Sequence, residues 1–285
     1  MSIVYLNGEF VEEKVAKVSI NDTGYYYGDG IYEVILFHNG KLIDKDLHLD
    51  RMVRSMNLSY FKNTPTKEEI LSNILKTIDA NKDFLKDSKS FSVYIQMTRG
   101  ETPRTQSFVN LNLKPNCLIK CNPCTISDEI KKWHCMIADD PRRVKCNIKM
   151  TSLLPMVLIK HECELKGFND VIFFNKNYQS ITEGTSFNVF VVDKNNNVIT
   201  CPEGEQILSG CTRARIIQLL KSAGFNVEER FFSKEELFNA KEVFITSTTK
   251  IAVSVVKIDD KVIGDGDVGE ITKTVKKLYK EFIEK

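Results

Sequence analysis

In Ile181-Thr182-Glu183-Gly184-Thr185-Ser186-Phe187-Asn188-Val189-Phe190, small and hydroxylated residues surround a single carboxylate, that of Glu183. This composition predicts a turn that holds the glutamate ahead of a strand. A second segment, Cys146-Asn147-Ile148-Lys149, closes a run with strand propensity over Val144–Ile148. We therefore expect Lys149 at the end of a strand and Glu183 in a nearby turn.

The chain around these two segments alternates helical and extended patterns. The pattern predicts helices over Leu153–Lys166, Cys211–Ala223 and Val268–Glu284, and strands over Asp170–Asn175, Ser186–Asp193 and Lys241–Thr246. Gly167 and Gly224 follow the first two helices directly, and glycine is the preferred residue just beyond a helix. Residues 125–285 are therefore predicted to form a mixed α/β domain.

The N-terminal part predicts a second α/β domain over residues 1–120. The dipeptides Asn7-Gly8 and Asn39-Gly40 are typical of tight hairpin turns. Further predicted elements are a helix over Leu47–Leu58, a second helix that starts at the capping box Thr66-Lys67-Glu68-Glu69, and strands over Phe91–Thr98 and Val109–Cys121. Because proline lacks a backbone donor, Pro123 indicates a break, and residues 121–124 are interpreted as a linker.

The composition excludes several classes of protein. Forty basic and 38 acidic side chains give a formal charge of +2, which indicates neither a nucleic acid nor a membrane surface as partner. We expect no secretory signal peptide and no membrane span. The eight cysteines are scattered through a chain of 285 residues, which favours reduced thiols and a cytoplasmic location.

Lys149 and Glu183 together suit an aldehyde cofactor. An amine can hold the aldehyde covalently, and a carboxylate can keep a ring nitrogen protonated. A solvated surface position is the commoner state of any single lysine or glutamate, so neither residue is informative alone. As a pair they suggest pyridoxal 5'-phosphate, and no metal.

Other segments offer groups that could bind the cofactor phosphate. Ser209-Gly210-Cys211-Thr212 opens a predicted helix, whose free N–H groups and positive dipole attract anions. Thr246-Ser247-Thr248-Thr249 places four hydroxyls after a predicted strand. Arg51 could clamp a phosphate or lie on the surface of a helix. Ordinary caps and polar turns explain each of these segments equally well when it is taken alone.

The order of these motifs resembles that of the fold-type IV aminotransferases that use pyridoxal phosphate, most closely the bacterial D-amino-acid (D-alanine) transaminases. The matching segments are Gly24–Val34, His48–Arg51, Thr98–Gly100, Pro103-Arg104, Cys146–Lys149, Thr182–Gly184, Ile207–Arg213 and Thr246–Thr249. The resemblance implies a two-domain enzyme of the α/β and α+β class. It also implies a homodimer.

The resemblance assigns roles to individual residues. It implies that Lys149 forms the Schiff base and moves the proton, and that Glu183 pairs with the pyridine nitrogen. It implies that the phosphate is bound by Arg51, Cys211, Thr212 and Thr248, with Leu208 against the ring. Tyr32 and Arg104 match residues that bind the substrate carboxylate, and the family pattern has a histidine where this chain has Gln106.

The implied reaction moves the amino group of a D-amino acid such as D-alanine to 2-oxoglutarate, giving pyruvate and D-glutamate. The alternatives on the same fold are a branched-chain L-amino-acid aminotransferase and 4-amino-4-deoxychorismate lyase. An alternative of another class uses Cys117, Cys121 and Cys124, whose spacing resembles that of the iron–sulfur ligands of radical enzymes. The segment after these cysteines lacks the repeated βα units of such a barrel, which disfavours it.

Overall fold

The computed structural model describes residues 1–142 and 145–285. The chain divides into two compact units. The first unit comprises Met1–Thr125 and Ile148–Leu153, and the second comprises Ile126–Asn147 and Leu154–Lys285. The segment that contains Lys149 therefore belongs to the first unit, whereas the sequence prediction placed it in the C-terminal domain. No helix in the described ranges is long and apolar enough to cross a membrane.

The first unit is built on an antiparallel sheet. Its strands are β1 (Ile3–Leu6), β2 (Glu9–Glu12), β3 (Gly30–His38), β4 (Lys41–Leu42), β5 (Ser90–Thr98) and β6 (Asn116–Pro123), in the order β2-β1-β6-β5-β3-β4. Its helices are α1 (Thr23–Tyr27), α2 (Lys45–Leu58), α3 (Lys67–Ala80) and α4 (Lys82–Leu85). Apolar residues of α2 and α3 pack on the sheet, and Leu49, Ile74 and Val93 are fully buried there.

The helix prediction in this unit is confirmed by the local geometry. Thr66 and Glu69 form the expected capping box at the start of α3, since each side chain binds the other residue's backbone N–H. The strand predicted over Val109–Cys121 is wrong at both of its ends, whereas the one predicted over Phe91–Thr98 agrees with β5. The segment 109–115 is a loop, and β6 continues through the predicted linker because residues 116–123 pair with β5.

The second unit has a larger, mixed sheet. Its elements are β7 (Lys132–Asp139), α5 (Leu154–Leu165), β8 (Asp170–Asn175), β9 (Ser180–Gly184), β10 (Asn188–Val192), β11 (Val198–Thr200), α6 (Cys211–Ser222), β12 (Val227–Glu229), α7 (Lys234–Phe238), β13 (Glu242–Ser247), β14 (Ile251–Ile258), β15 (Lys261–Val262) and α8 (Glu270–Glu284). The main path is β12-β11-β10-β13-β14-β7-β8-β9, and β9 also pairs with β10. This mixture of helices and strands confirms the predicted fold class.

The two segments that the sequence singled out have different backbones from those expected. Glu183 lies within β9, because Asn188 of β10 pairs with it and closes that end of the sheet. Cys146 and Asn147 form a turn instead of a strand. Lys145 has a positive φ of 60°, which is incompatible with an extended run. Val144, the start of the predicted strand, lies outside the described residues.

Candidate active site

Lys149 is fixed by residues of the first unit. Its carbonyl oxygen accepts a hydrogen bond from the backbone N–H of Tyr32 at 2.9 Å, and its own N–H donates to Ser55 Oγ at 3.4 Å. Its Nζ lies 4.2 Å from the centre of the Tyr32 ring. Beside it, Thr151 N–H donates to the Gly30 carbonyl at 2.8 Å. The segment 148–153 therefore runs alongside β3, and a Cβ at Gly30 would lie only 2.8 Å from Thr151 Oγ1.

A cavity of about 380 Å³ lies within the first unit. Its lining residues are Gly24, Gly28, Tyr32, Tyr94, Gln96, Thr151 and Leu153. The rings of Tyr32 and Tyr94 stack with their centres 5.8 Å apart. Tyr94 donates its hydroxyl to Gln96 Oε1 at 2.6 Å. Burial, together with the neighbouring Tyr32, raises the pKa of Tyr94 to about 12, so this wall presents neutral hydrogen-bonding groups.

Arg51 lies in a buried ion pair of the same unit. Its Nε and Nη2 each donate to a carboxylate oxygen of Glu33 at 2.7 Å. His48 Nδ1 lies 2.8 Å from the same carboxylate. Burial alone would raise the pKa of Glu33, but the charge and hydrogen bonds of Arg51 hold it well below its usual range. Glu33 therefore stays ionised and orients the guanidinium.

Arg104 and Gln106 lie on an exposed loop between β5 and β6. The Arg104 guanidinium is 5.5 Å from the centre of the Tyr27 ring. Neither residue is part of the cavity lining in the described structure. Of the three residues predicted to bind substrate, only Tyr32 lines the cavity.

Glu183 is buried among residues of the second unit. Leu208 N–H lies 3.1 Å from both carboxylate oxygens, and Asn188 Nδ2 lies 3.1 Å from Oε2. Asn188 Nδ2 is also 2.9 Å from the Leu208 carbonyl. The amide of Asn188 thus connects the carboxylate to the segment that leads into α6.

Arg142 contacts Glu183, and the sequence analysis did not single it out. It binds Asp140 through Nε and Nη2 at 2.8 and 2.7 Å, and Nη1 contacts Glu183 Oε1. Burial raises the pKa of Glu183, and the Arg142 guanidinium opposes that rise by favouring the carboxylate. The sequence signal was weak, because a charged Asp-Pro-Arg segment after a strand is usually solvated.

The start of α6 and the end of β13 present polar groups suited to a phosphate. Gly210 precedes α6 and provides no side-chain cap, so the first N–H groups of the helix lack an intrahelical acceptor. Cys211 and Thr212 are buried in that first turn. Thr246 Oγ1 and Ser247 Oγ are buried without a hydrogen-bond partner among the described residues. Unsatisfied buried donors are costly, so these groups fit an anion that would accept their hydrogen bonds.

Two further predicted residues lie beside these groups. Leu208 is half-buried three residues before the start of α6, and its N–H is already bound to Glu183. Thr248 is half-buried in the turn that follows β13. The second unit thus brings together Glu183, Leu208, Cys211 and Thr212, as the motif order implied.

Comparison with known proteins places this geometry in a family. The family model described as Amino-transferase class IV matches residues 30–258. D-alanine aminotransferase from Bacillus licheniformis is 35% identical over 95% of this chain and 94% of its own length. The D-alanine aminotransferase of Staphylococcus haemolyticus is 33% identical over 100% of this chain and 99% of its own length.

Solved structures show the same fold. A branched-chain amino acid aminotransferase from Escherichia coli has a TM-score of 0.87 at 23% identity, covering 99% of this chain and 94% of the other. One from Thermobaculum terrenum, in its PLP form, has a TM-score of 0.84 at 22% identity over the same shares.

The chain belongs to the class IV aminotransferase family. It is a pyridoxal-phosphate-dependent enzyme, as the lysine and glutamate predicted. The alternative of an iron–sulfur enzyme is wrong. Cys117 and Cys121 lie on β6 four residues apart, roughly 13 Å along a strand. Burial raises the pKa of both thiols to about 12, which disfavours the thiolates that ligate iron.

Proposed function

We propose that the enzyme is a D-amino-acid transaminase that moves the amino group of D-alanine to 2-oxoglutarate, forming pyruvate and D-glutamate. The observation that carries the proposal is the similarity to D-alanine aminotransferases along the whole chain, at 33–35% identity. The structures of branched-chain enzymes are less than 25% identical, so they support the fold and not the substrate.

The proposed roles of the two central residues follow from their surroundings. Lys149 supplies the amine that holds the cofactor and moves the proton at the substrate Cα, and its Nζ is already placed against the Tyr32 ring. Glu183 supplies the buried carboxylate for the ring nitrogen, and Leu208 and Asn188 keep it oriented. When bound, pyridoxal phosphate supplies an electron-withdrawing ring that lowers the barrier to removing the Cα proton.

The proposed phosphate ligands come from two kinds of group. Cys211 and Thr212 offer the N–H groups of a helix start, which favour a negative charge. Thr248 and Arg51 offer a hydroxyl and a guanidinium. The buried hydroxyls of Thr246 and Ser247, which have no hydrogen-bond partner among the described residues, support an anion at this end of the second unit.

Substrate binding is proposed to use Tyr32, Arg104 and Gln106. A guanidinium can bind a carboxylate through two parallel hydrogen bonds. Tyr32 and Gln106 provide neutral donors, so the positive charge available to the substrate carboxylate comes from Arg104. This arrangement suits a small D-amino acid whose Cα hydrogen faces the lysine.

A panel of D- and L-amino acids tests the proposal directly. Each is mixed with the holoenzyme, and the loss of the absorbance of the bound aldehyde form is followed in a single turnover. We expect D-alanine and D-glutamate to react faster than L-leucine and L-glutamate. Faster reaction of the L-amino acids would replace the D-amino-acid function with the branched-chain one, and inertness toward all of them would favour the lyase.

We also propose that the enzyme works as a homodimer in the cytoplasm. Leu154, Val157, Leu158 and Leu165 share one face of α5 and are 55–75% exposed, a large apolar area for a surface helix. A second copy of the chain would cover such a face. All eight cysteines are free, which suits a reducing compartment. Sedimentation equilibrium of the parent and of Leu158→Lys tests the dimer, and a monomeric parent would contradict it.

A further inference from the structure

Arg99 directly follows β5 and uses nearly all of its guanidinium for contacts within the first unit. Nε and Nη2 donate to the two carboxylate oxygens of Asp29 at 2.7 and 2.9 Å. Nη2 also donates to the Ser59 carbonyl at 3.0 Å, and Nη1 donates to the Tyr60 carbonyl at 3.3 Å. These contacts use four of its five N–H donors.

The same guanidinium lies over two aromatic rings. Its central carbon is 4.5 Å from the centre of the Phe61 ring and 4.9 Å from that of Phe108. Phe61 follows α2, whereas Phe108 lies in the loop that joins β5 to β6. Arg99 is the first residue of this loop. Its guanidinium therefore connects the start of the loop to Phe108, nine positions later, and connects both to the C-terminal end of α2.

Other hydrogen bonds of the loop within the described residues lie on either side of its middle. They join Thr23 with Gly100, Asn21 with Thr102, Lys62 with Val109, and Asn63 with both Asn112 and Leu113. The loop has two arms, residues 99–102 before its middle and residues 108–115 after it. Gly100 has a φ of 117°, and a Cβ there would lie 2.2 Å from the Lys114 carbonyl oxygen, so the two arms approach closely.

The middle of the loop, Pro103–Ser107, has few contacts of its own. In the described part of the chain its side chains make only hydrogen bonds between Thr105 and Ser107 and the contact of Arg104 with the Tyr27 ring. The position of the Arg104 guanidinium therefore depends on how firmly the two arms of the loop are held.

We propose that Arg99 is a positioning residue for substrate binding, which fixes the Pro103–Ser107 segment so that Arg104 meets the substrate carboxylate in a preset orientation. This inference rests on the proposed role of Arg104. If the two arms are not held together, the segment must be ordered when substrate binds, and the cost of ordering weakens binding. The proton transfer at Lys149 does not involve this loop, so the maximal rate of the half-reaction should change little.

The first test is Arg99→Lys in the full-length holoenzyme. Lysine keeps the charge but cannot bind Asp29 bidentately or present a planar group to the rings. In single-turnover kinetics with D-alanine we expect the half-saturating concentration to rise about tenfold, an ordering cost near 1.4 kcal/mol, and the maximal rate to change less than about twofold. An unchanged half-saturating concentration, or a fall confined to the maximal rate, would overturn the inference.

A second readout separates positioning from general loss of stability. Trypsin can cut the chain after Arg104, and the fragments identify the site by mass. Arg99→Lys should accelerate this cut while leaving the rates of the other tryptic cuts unchanged, at a temperature well below the thermal midpoint of the variant. A general acceleration of all cuts would instead show a structural role and overturn the inference.

Phe108→Leu is the companion variant, because it removes the far contact and leaves the Arg99–Asp29 pair in place. It should weaken D-alanine binding in the same direction, and combined with Arg99→Lys it should add less than the sum of the two effects. The matched control is Arg215→Lys, since Arg215 lies 4.3 Å from the Phe282 ring in the second unit and takes no part in the proposed site. Its kinetics should match those of the parent.

The assay uses whichever enantiomer the parent turns over faster. Failure of the proposed D-amino-acid function would appear in the parent as a preference for L-amino acids. Failure of the positioning role would appear only in the variants, as unchanged binding of the preferred amino acid.

Discussion

The Nζ atom of Lys149 lies 4.2 Å from the centre of the Tyr32 ring, and the backbone N–H of Tyr32 donates to the Lys149 carbonyl oxygen at 2.9 Å. One residue of β3 thus fixes both the backbone and the amine of the lysine. The ring face attracts a cationic amine. The amine is therefore held at the wall of the cavity that Tyr32 lines.

Lys149→Ala should abolish covalent attachment of the cofactor. In the parent, borohydride reduction followed by peptide mapping should label Lys149, whereas the alanine variant should incorporate no label and catalyse no multiple turnover. Lys145→Ala is the matched control, because Lys145 is exposed and four residues away, and it should retain the label. A label on another lysine of the parent would contradict the assignment.

Glu183→Gln should slow the half-reaction by at least about tenfold, because an amide cannot stabilise a protonated ring nitrogen and one pKa unit is worth about 1.4 kcal/mol. The hydrogen bonds to Leu208 and Asn188 can largely be kept by an amide, so we expect the fold and cofactor content to survive. Stopped-flow absorbance measures the rate. Glu205→Gln, an exposed glutamate of the same unit, serves as control. An unchanged rate in the Glu183 variant would remove this residue from the mechanism.

Arg142→Gln should make the stability of the cofactor-free protein more sensitive to rising pH. Burial raises the pKa of Glu183, and loss of the opposing charge of Arg142 should raise it further. The folded state then holds a proton that the unfolded state has lost, so the free energy of unfolding falls as the pH rises above the ordinary pKa of a glutamate. Urea unfolding at several pH values measures this. Arg142→Lys keeps the charge and should retain the parental profile.

Glu33→Gln should destabilise the first unit at neutral pH by about 3 kcal/mol, because it leaves the Arg51 guanidinium buried without its carboxylate. The lowered pKa of Glu33 means that its contribution is complete above the ordinary pKa of a glutamate and is lost as the pH falls below it. The parent should therefore lose more stability than the variant on acidification. Asp46→Asn, which removes a surface partner of Lys45 and Lys67, should change stability little at either pH.

Arg104→Ala should weaken turnover of D-alanine by at least about tenfold, since a charge-assisted bidentate contact is worth about 1.5–3 kcal/mol. Cofactor binding should be unaffected, because Arg104 lies on an exposed loop of the first unit. Gln106→His should leave activity toward D-alanine equal or higher. Steady-state kinetics with D- and L-alanine measures both effects, and equal kinetics of parent and Arg104→Ala would contradict the role.

The sequence by itself determined the elements whose signals are local. The capping box of Thr66 and Glu69 places the start of α3 correctly, because both hydrogen bonds join residues three apart. Gly167 and Gly224 follow α5 and α6 as predicted, with φ of 81° and 86°. The order of the motifs also determined the family and its cofactor, since several weak signals in sequence are jointly specific.

The tertiary structure alone decided which residues surround each functional group. Glu183 lies in a strand instead of a turn because β10 pairs with β9, and its contact with Arg142 joins residues far apart in the chain. Lys149 belongs to the first unit because residues 148–153 run alongside β3, although the chain has already entered the second unit. Arg99 reaches Phe108 and Asp29 only once β5 is paired. Local sequence carries no signal for such contacts, because their free energy comes from burial and pairing between segments that only the folded chain brings together.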